Sequence, residues 1–217
     1  MKGMTYTTDR YCNNVTLDSP RSFASLYHLR TTGANYVAFV VTEFLNHSSD
    51  NVIFPIYEEP FPEDSYYVYR TATIESLTEA INYAHAIGFK VMLKPHIDLI
   101  MDGSNAWRGG ISGKGDEFYA SYTKMIVKYS KLAEELGVEM VSVNCELVNL
   151  SGQSDYWRAV IKSMRDVYSG LLTDSANWGG EEMGKQWWDV VDYIGVDAYY
   201  GQGIRQGTET AEEMAQK

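Results

Sequence analysis

Glu146 closes the stretch Val-Glu-Met-Val-Ser-Val-Asn-Cys-Glu-Leu at 138–147, which follows a helix stopping at Gly137 and reads as a strand. Alternation along that strand places Met140, Ser142, Asn144 and Glu146 on one face. A glutamate at the C-terminal end of a strand stands where parallel α/β folds place their chemistry. A lone glutamate carries weight only if other strand ends deliver polar groups to the same mouth. The candidates are Thr8 and Asp9, Glu43, His96 and Asp98, Asn144, Asn177 and Trp178, and Asp197 and Tyr199, with Trp107 and Arg108 arriving from a loop. Carboxylates, amides and an imidazole between aromatic walls suit a carbohydrate, whose axial C–H groups lie on rings and whose hydroxyls meet polar side chains. Cleavage of a glycoside needs two carboxyl groups, about 5–5.5 Å apart when configuration is retained.

Each residue also has a plainer role to weigh. Lys94 lies one layer below His96 and reads as an interior ion-pair lysine, with Glu146 as one candidate partner. Asp98 can cap the loop after its strand. His96 with Asp98 could hold a metal on one strand face, but such hydrolases bring more histidines to strand ends. His28, His47 and His85 fall on helices or in a loop instead, so neither metal nor cofactor is expected. Trp187 and Trp188 precede a strand on a helical segment and read as core.

The elements that must position these groups follow one rhythm. Segments 2–8, 36–44, 89–99, 138–147, 170–175 and 190–200 read as strands, the second nearly continuous in β-branched and aromatic residues. Helices are predicted from Pro20 to about Gly33, over 74–88, 116–136 and 154–169, and in a short segment ending near Asp189. Ser19-Pro20 gives an N-cap and a proline at the first helical position. Gly33, Gly88 and Gly137 each stand just ahead of an apolar strand. Thr210 with Glu213 forms a capping box for a further helix. The stretches 46–72 and 101–115 are too long and aperiodic for ordinary connections and read as loops at one rim.

Strict alternation implies parallel strands joined by right-handed crossovers. No Gly-rich phosphate loop follows any strand, so the usual reason for an open nucleotide-binding sheet is missing. A doubly wound sheet and a (β/α)8 TIM barrel both satisfy the alternation, and because the polar residues cluster at strand C-termini the predicted fold class is α/β with the TIM barrel favoured.

Composition excludes several functions. A formal charge of −11 over 217 residues opposes nucleic acid. No apolar run approaches a membrane span. Cys12 and Cys145 have neither metal-motif spacing nor the density of a disulfide scaffold, and Cys145 reads as a small core residue. Asn14, Asn46 and Asn149 open glycosylation sequons. No signal peptide precedes the first strand, and the sequence begins almost inside that element, as it would after removal of a targeting segment.

Several of these pieces, in this order, are similar to one known family. Lys-Pro-His-Ile-Asp at 94–98, Trp107-Arg108-Gly109, the helix from Ala120-Ser121-Tyr122 to Leu132-Ala133-Glu134, Asn144-Cys145-Glu146-Leu147, and Ile194-Gly195-Val196-Asp197-Ala198-Tyr199-Tyr200 resemble glycoside hydrolase family 113. The resemblance implies a retaining endo-β-1,4-mannanase on a (β/α)8 barrel, with the acid/base on strand four and the nucleophile on strand seven. Glu146 then corresponds to the general acid/base. His96, Asp98, Trp107, Arg108, Asn144, Asn177, Trp178, Asp197 and Tyr199 would line sugar subsites. The partner implied is a β-linked polysaccharide or oligosaccharide, and the enzyme would be secreted.

Two departures stand out. The broader clan places Asn directly before the acid/base, whereas here Cys145 intervenes, which on a regular strand points Asn144 inward and Cys145 away. Nothing after Tyr200 resembles a strand carrying a glutamate, and a whole barrel takes about 250 residues. Residues 1–217 are thus expected to form a single incomplete catalytic barrel, without strands seven and eight. Strands one and six would each lack a neighbour, and Val191, Tyr193, Ile194, Val37 and Phe39 would lose part of their core. A non-catalytic carbohydrate-binding or degenerate barrel is the competing expectation.

Overall fold

The structure, a computed structural model, describes residues 1–7, 16–57, 70–103 and 106–199. Thr8, Asp9, Cys12, Asn14, Tyr200, the Thr210–Glu213 box and part of the 46–72 loop lie outside the described residues. Six parallel strands form one sheet in chain order: β1 (Gly3–Tyr6), β2 (Tyr36–Leu45), β3 (Lys90–Leu99), β4 (Met140–Cys145), β5 (Leu171–Asn177) and β6 (Val196–Asp197). Between them run α1 (Pro20–Thr31), α2 (Ile74–Ala86), α3 (Gly115–Glu135), α4 (Ser154–Arg165) and the short α5 (Glu181–Gly184). This is a partial (β/α)8 barrel, an arc with β1 at one end and β6 at the other. No helix among the described residues is long and apolar enough to cross a membrane.

Local sequence sets the element ends. Ser19 Oγ accepts the Ser22 N–H at 3.2 Å and Pro20 opens α1, while Thr73 caps α2 through Ser76 N–H at 3.1 Å. Gly33, Gly88 and Gly137 all adopt positive φ (87°, 88° and 65°) just past α1, α2 and α3. That left-handed turn is open to glycine at little cost, and it aims the chain into the following strand.

The core lies between the sheet's outer face and the helices. Val37, Phe39 and Val41 of β2, Val91, Leu93 and Ile97 of β3, and Val141 and Val143 of β4 pack there with Leu26, Leu77, Ile81, Tyr122, Ile126 and Trp157. Val37 and Phe39 are therefore buried beneath helices, and the expectation that they lose core at the open arc is corrected. Tyr193 and Ile194, at the β6 end of the arc, are exposed as expected, whereas Val191 is half-buried against the core. Trp187 is buried against Trp157, ring centroids 5.7 Å apart, a core residue as its helical setting suggested.

Two strands depart from the sequence reading. The sixth is two residues long instead of spanning 190–200. Its N-terminal half is a 3-10 turn, Trp188–Val190, and a single bridge from Tyr193 to Thr173. Asp192 explains the break, because its carboxylate is spent on the Leu172 N–H and on Arg165 across the strand start. Gly195 then lets the chain pass against β5, where any Cβ would collide with the Asp174 carbonyl oxygen.

The second departure is in β4. Met140, Val141 and Ser142 pair with Leu171, Leu172 and Thr173, but Cys145 pairs with Ser175, so β4 carries one extra residue. Past this bulge the alternation slips. Glu43 is a third correction, since it shares the odd, outward register of Val37–Val41. It faces α3, where Tyr129 Oη–H donates to it at 2.8 Å and Lys128 pairs with it, and it does not reach the mouth.

Candidate active site

Three inward side chains of β3 begin the site, because Lys94, His96 and Asp98 alternate with the outward Leu93, Ile97 and Leu99. Arg108, in the 3-10 turn after the Trp107 loop, clamps Asp98 with Nε and Nη2 at 2.9 and 3.0 Å. Lys94 Nζ donates to both oxygens of Asp197 on β6, at 2.9 and 2.8 Å. The interior ion pair expected of Lys94 is thus made with Asp197 rather than with Glu146.

The β4 bulge decides what surrounds Glu146. Cys145 is turned inward, contrary to simple alternation. Arg108 Nη1 lies 3.3 Å from its sulfur, which in turn lies 3.5 Å from Asp197 Oδ2. Asn144 is fully buried and its side-chain amide meets no protein partner, while its backbone N–H goes to Asp174 Oδ1 at 3.1 Å. Glu146 itself has φ 54°, the positive-φ residue other than glycine among the described residues. Such backbone persists only where its surroundings impose it. Here the Glu146 N–H is held by the Ser175 carbonyl at 2.8 Å, and the side chain is delivered half-buried to the mouth.

Trp107 Nε1–H reaches Glu146 Oε2 at 3.4 Å. Trp107 (44% exposed) is joined at the ends of β5 and β6 by Trp178 (38%) and Tyr199 (74%), both also exposed to solvent. Asn177 stands at the end of β5, its backbone N–H held by Glu181 Oε2 at 2.6 Å. The structure therefore gathers Glu146, Trp107, Arg108, Asp98, Asp197 and Cys145 into one cluster, and it withdraws Asn144 from the open mouth.

Burial pushes the Glu146 carboxyl above its ordinary value. The Arg108 charge opposes this, Asp197 reinforces it, and the Trp107 hydrogen bond and Lys94 oppose it further. Burial pushes the Cys145 thiol up to about 12 despite Arg108 and Lys94, so it stays protonated. His96 is held well below its usual range by burial, with Arg108 and Lys94 adding to the effect, and is neutral. Cys145, Glu146 and Asp197 bring possible ligand atoms within 4.8 Å of one another. Lys94 and Arg108 already supply the positive charge there, so the donor set suits an ion-pair network better than a metal.

The sequence reading missed one network. Behind β5, Lys185 is fully buried and bridges Asp174 and Glu181, the latter at 2.7 Å. Its ammonium also lies 4.9 Å from the Trp187 ring centroid. Asp174 faces outward on β5, so its two oxygens join Lys185 to the bulged β4 backbone. The Glu181–Lys185 spacing of four residues on a helical segment was the available signal.

Two outcomes follow for this cluster. Gly109→Ala would drive a Cβ into the Trp107 ring and displace it from Glu146. The expected result is a shifted indole emission from the displaced Trp107, with the unfolding midpoint little changed. His96 gives a pH effect on stability. Its folded pKa lies below the unfolded value of about 6.5, so its contribution is intact above that pH and is lost as pH falls below it. Thermal melts should show that His96→Asn loses less stability than the parent between about pH 6.5 and 5.

A parallel barrel arc with a strained glutamate at its C-terminal mouth, among exposed aromatic rings, defines a carboxylate-bearing (β/α) barrel. The chain belongs to Glycoside Hydrolase Family 113, whose sequence profile matches residues 4–217. Among solved structures it is similar to the GH113 β-mannanase AaManA from Alicyclobacillus acidocaldarius in complex with ManMIm. That likeness has a TM-score of 0.78 at 29% identity, covering 91% of this chain and 61% of that one. A complex structure of a GH113 β-1,4-mannanase matches with a TM-score of 0.76 at 25% identity, covering 92% and 63%. A β-mannanase from Streptomyces thermolilacinus, at 15% identity and a TM-score of 0.51, covering 85% of this chain and 51% of its own, shares the fold. The chain thus spans somewhat over six-tenths of the length of the family 113 structures it matches. No curated protein matches it in sequence.

Proposed function

We propose that the protein is a retaining endo-β-1,4-mannanase-like glycoside hydrolase in which Glu146 is the general acid/base. The observation that carries this reading is the placement of Glu146. Its carboxyl is half-buried, raised in proton affinity, and set beside exposed Trp107 at the mouth of a family 113 barrel. A general acid must hold a proton near the working pH and stand within reach of the glycosidic oxygen. Glu146 would protonate the leaving sugar oxygen, then take a proton from the water that releases the glycosyl-enzyme intermediate. The nucleophile is assigned to a glutamate on a seventh strand, with residues 1–217 supplying an incomplete catalytic barrel domain. Trp107, Trp178 and Tyr199 would stack on sugar faces, and His96, Asp98, Arg108 and Asn177 would shape the subsites behind them.

Mannan is too large to cross a membrane, so the enzyme is placed outside the cell, and activity should appear in culture supernatant. The test is incubation of the complete protein with β-1,4-mannan while reducing ends are counted and the first-formed anomer is read by proton NMR. Release of β-anomer supports the reading, and release of α-anomer overturns retention. Binding of manno-oligosaccharides with no release favours a carbohydrate-binding barrel. One observation motivates that second reading: the carboxylate that approaches Glu146, Asp197, has both oxygens on Lys94.

A further inference from the structure

Behind Glu146 runs a continuous line of buried and half-buried groups drawn from three strands and a loop. Asp98 is clamped by Arg108, Arg108 reaches the Cys145 sulfur, the Cys145 thiol donates to Asp197, and Asp197 is held through both oxygens by Lys94. At its far end the Asp197 carboxylate lies within 4.8 Å of the Glu146 carboxyl. Side-chain exposures of 8% for Lys94 and 21% for Asp197 leave this charge only partly screened by water.

Two other roles for Asp197 fit poorly. A carboxylate that accepts twice from one ammonium has little nucleophilicity left for an anomeric carbon. It also has few lone pairs left for a sugar hydroxyl. Its position, by contrast, suits an electrostatic task.

We propose that Asp197 is a positioning residue for the acid step: a Lys94-anchored negative charge beside Glu146 that keeps the Glu146 carboxyl protonated until the leaving oxygen needs its proton. Cys145 and Arg108 fix the geometry, since the thiol bridges the two ion pairs. This rests on the reading of Glu146 as general acid/base.

The charged groups facing Glu146 have opposing signs. Arg108 from the loop and Lys94 from β3 favour the anion, as does the Trp107 N–H, while Asp197 from β6 opposes it together with burial. Removing Asp197 therefore has two consequences of one sign. It deletes the anion, and it leaves the Lys94 ammonium uncompensated, so Glu146 loses its proton at lower pH. Removing Lys94 has the reverse sign.

In the complete protein, the alkaline limb of kcat against pH for Asp197→Asn should move down by about one pH unit. The limb of Lys94→Met should move up. A merely structural role would lower kcat at every pH in both variants and leave the limbs in place, which would overturn the proposal. Because Lys94→Met can fail to fold, a second readout uses Asp197→Asn alone. Carbon-13 NMR of labelled glutamate follows the Glu146 resonance, identified by its loss in Glu146→Gln, through a pH titration that needs no turnover. A lower Glu146 midpoint in Asp197→Asn supports the proposal, and an unchanged or higher one overturns it. Full activity of Glu146→Gln would instead remove the acid/base assignment itself, and the titration would still report whether Asp197 sets the proton affinity of Glu146.

Discussion

Replacing Glu146 by alanine in the complete protein should lower kcat on β-1,4-mannan by about 10²–10⁴-fold, the usual contribution of a positioned general acid/base. The loss should fall on kcat, because Glu146 meets the glycosidic oxygen most strongly while charge develops on it. KM should change little, since the exposed rings of Trp107, Trp178 and Tyr199, the proposed sugar platforms, are untouched. The alkaline limb of the parent's pH profile should disappear in the variant, because that limb reports deprotonation of Glu146, whose affinity for its proton is raised by burial. Steady-state kinetics across pH on mannan and on short manno-oligosaccharides check both halves of the prediction.

Lys185→Met should destabilise the protein by about 3–5 kcal/mol, because it strands two carboxylates that are almost wholly excluded from water. That is a large share of the roughly 5–15 kcal/mol that holds a typical domain together. The sign with pH is specific. Burial raises the Asp174 carboxyl to about 6 even with Lys185 beside it, and losing the ammonium raises it further. Asp174 already costs stability as pH rises from its unfolded value through its folded one, and the variant extends that cost to higher pH. The deficit should therefore be larger at pH 8 than at pH 5, where the Asp174 carboxyl takes up a proton. Denaturant melts at the two pH values measure it. Adding Asp174→Asn to Lys185→Met should recover part of the loss, since the double variant removes one of the stranded charges. The effect also reaches the site, because Asp174 Oδ1 holds the Asn144 N–H inside the bulge that turns Cys145 inward and leads into Glu146.

Much of this architecture was legible in the residues, for physical reasons that can be named. The three glycines at positive φ turn their helices into strands, and their spacing before apolar runs is visible in sequence. Alternation along β3 located Lys94, His96 and Asp98 on the inner face because that strand is regular over ten residues. The same alternation, followed strictly along β2, would have sent Glu43 outward with Val37, Phe39 and Val41.

What stayed hidden depended on contacts between distant segments. The extra residue in β4 is imposed by pairing with β5 and by Asp174, and a single strand carries no sign of it. Cys145 consequently looked like an outward core residue, although it joins two ion pairs. Lys94 was readable as an ion-pair lysine, but its partner lies 103 residues away, and choosing Asp197 over Glu146 required the barrel's curvature. The shortening of β6 likewise follows from Asp192 binding Leu172 and Arg165, neither of which is near it in sequence.

The proposed role of Glu146 as proton donor to the leaving oxygen is tested most directly by leaving-group dependence. The measurement is turnover of Glu146→Ala on aryl β-mannosides of graded leaving-group acidity, with and without sodium azide. A phenol acidic enough to depart unprotonated should be released at close to the parent's rate in the first step, while poor leaving groups lose most of theirs. Azide, which needs no base, should then attack the glycosyl-enzyme intermediate, restore turnover and yield the β-mannosyl azide. An equal loss across all leaving groups, with no rescue and no azide product, would contradict the assignment.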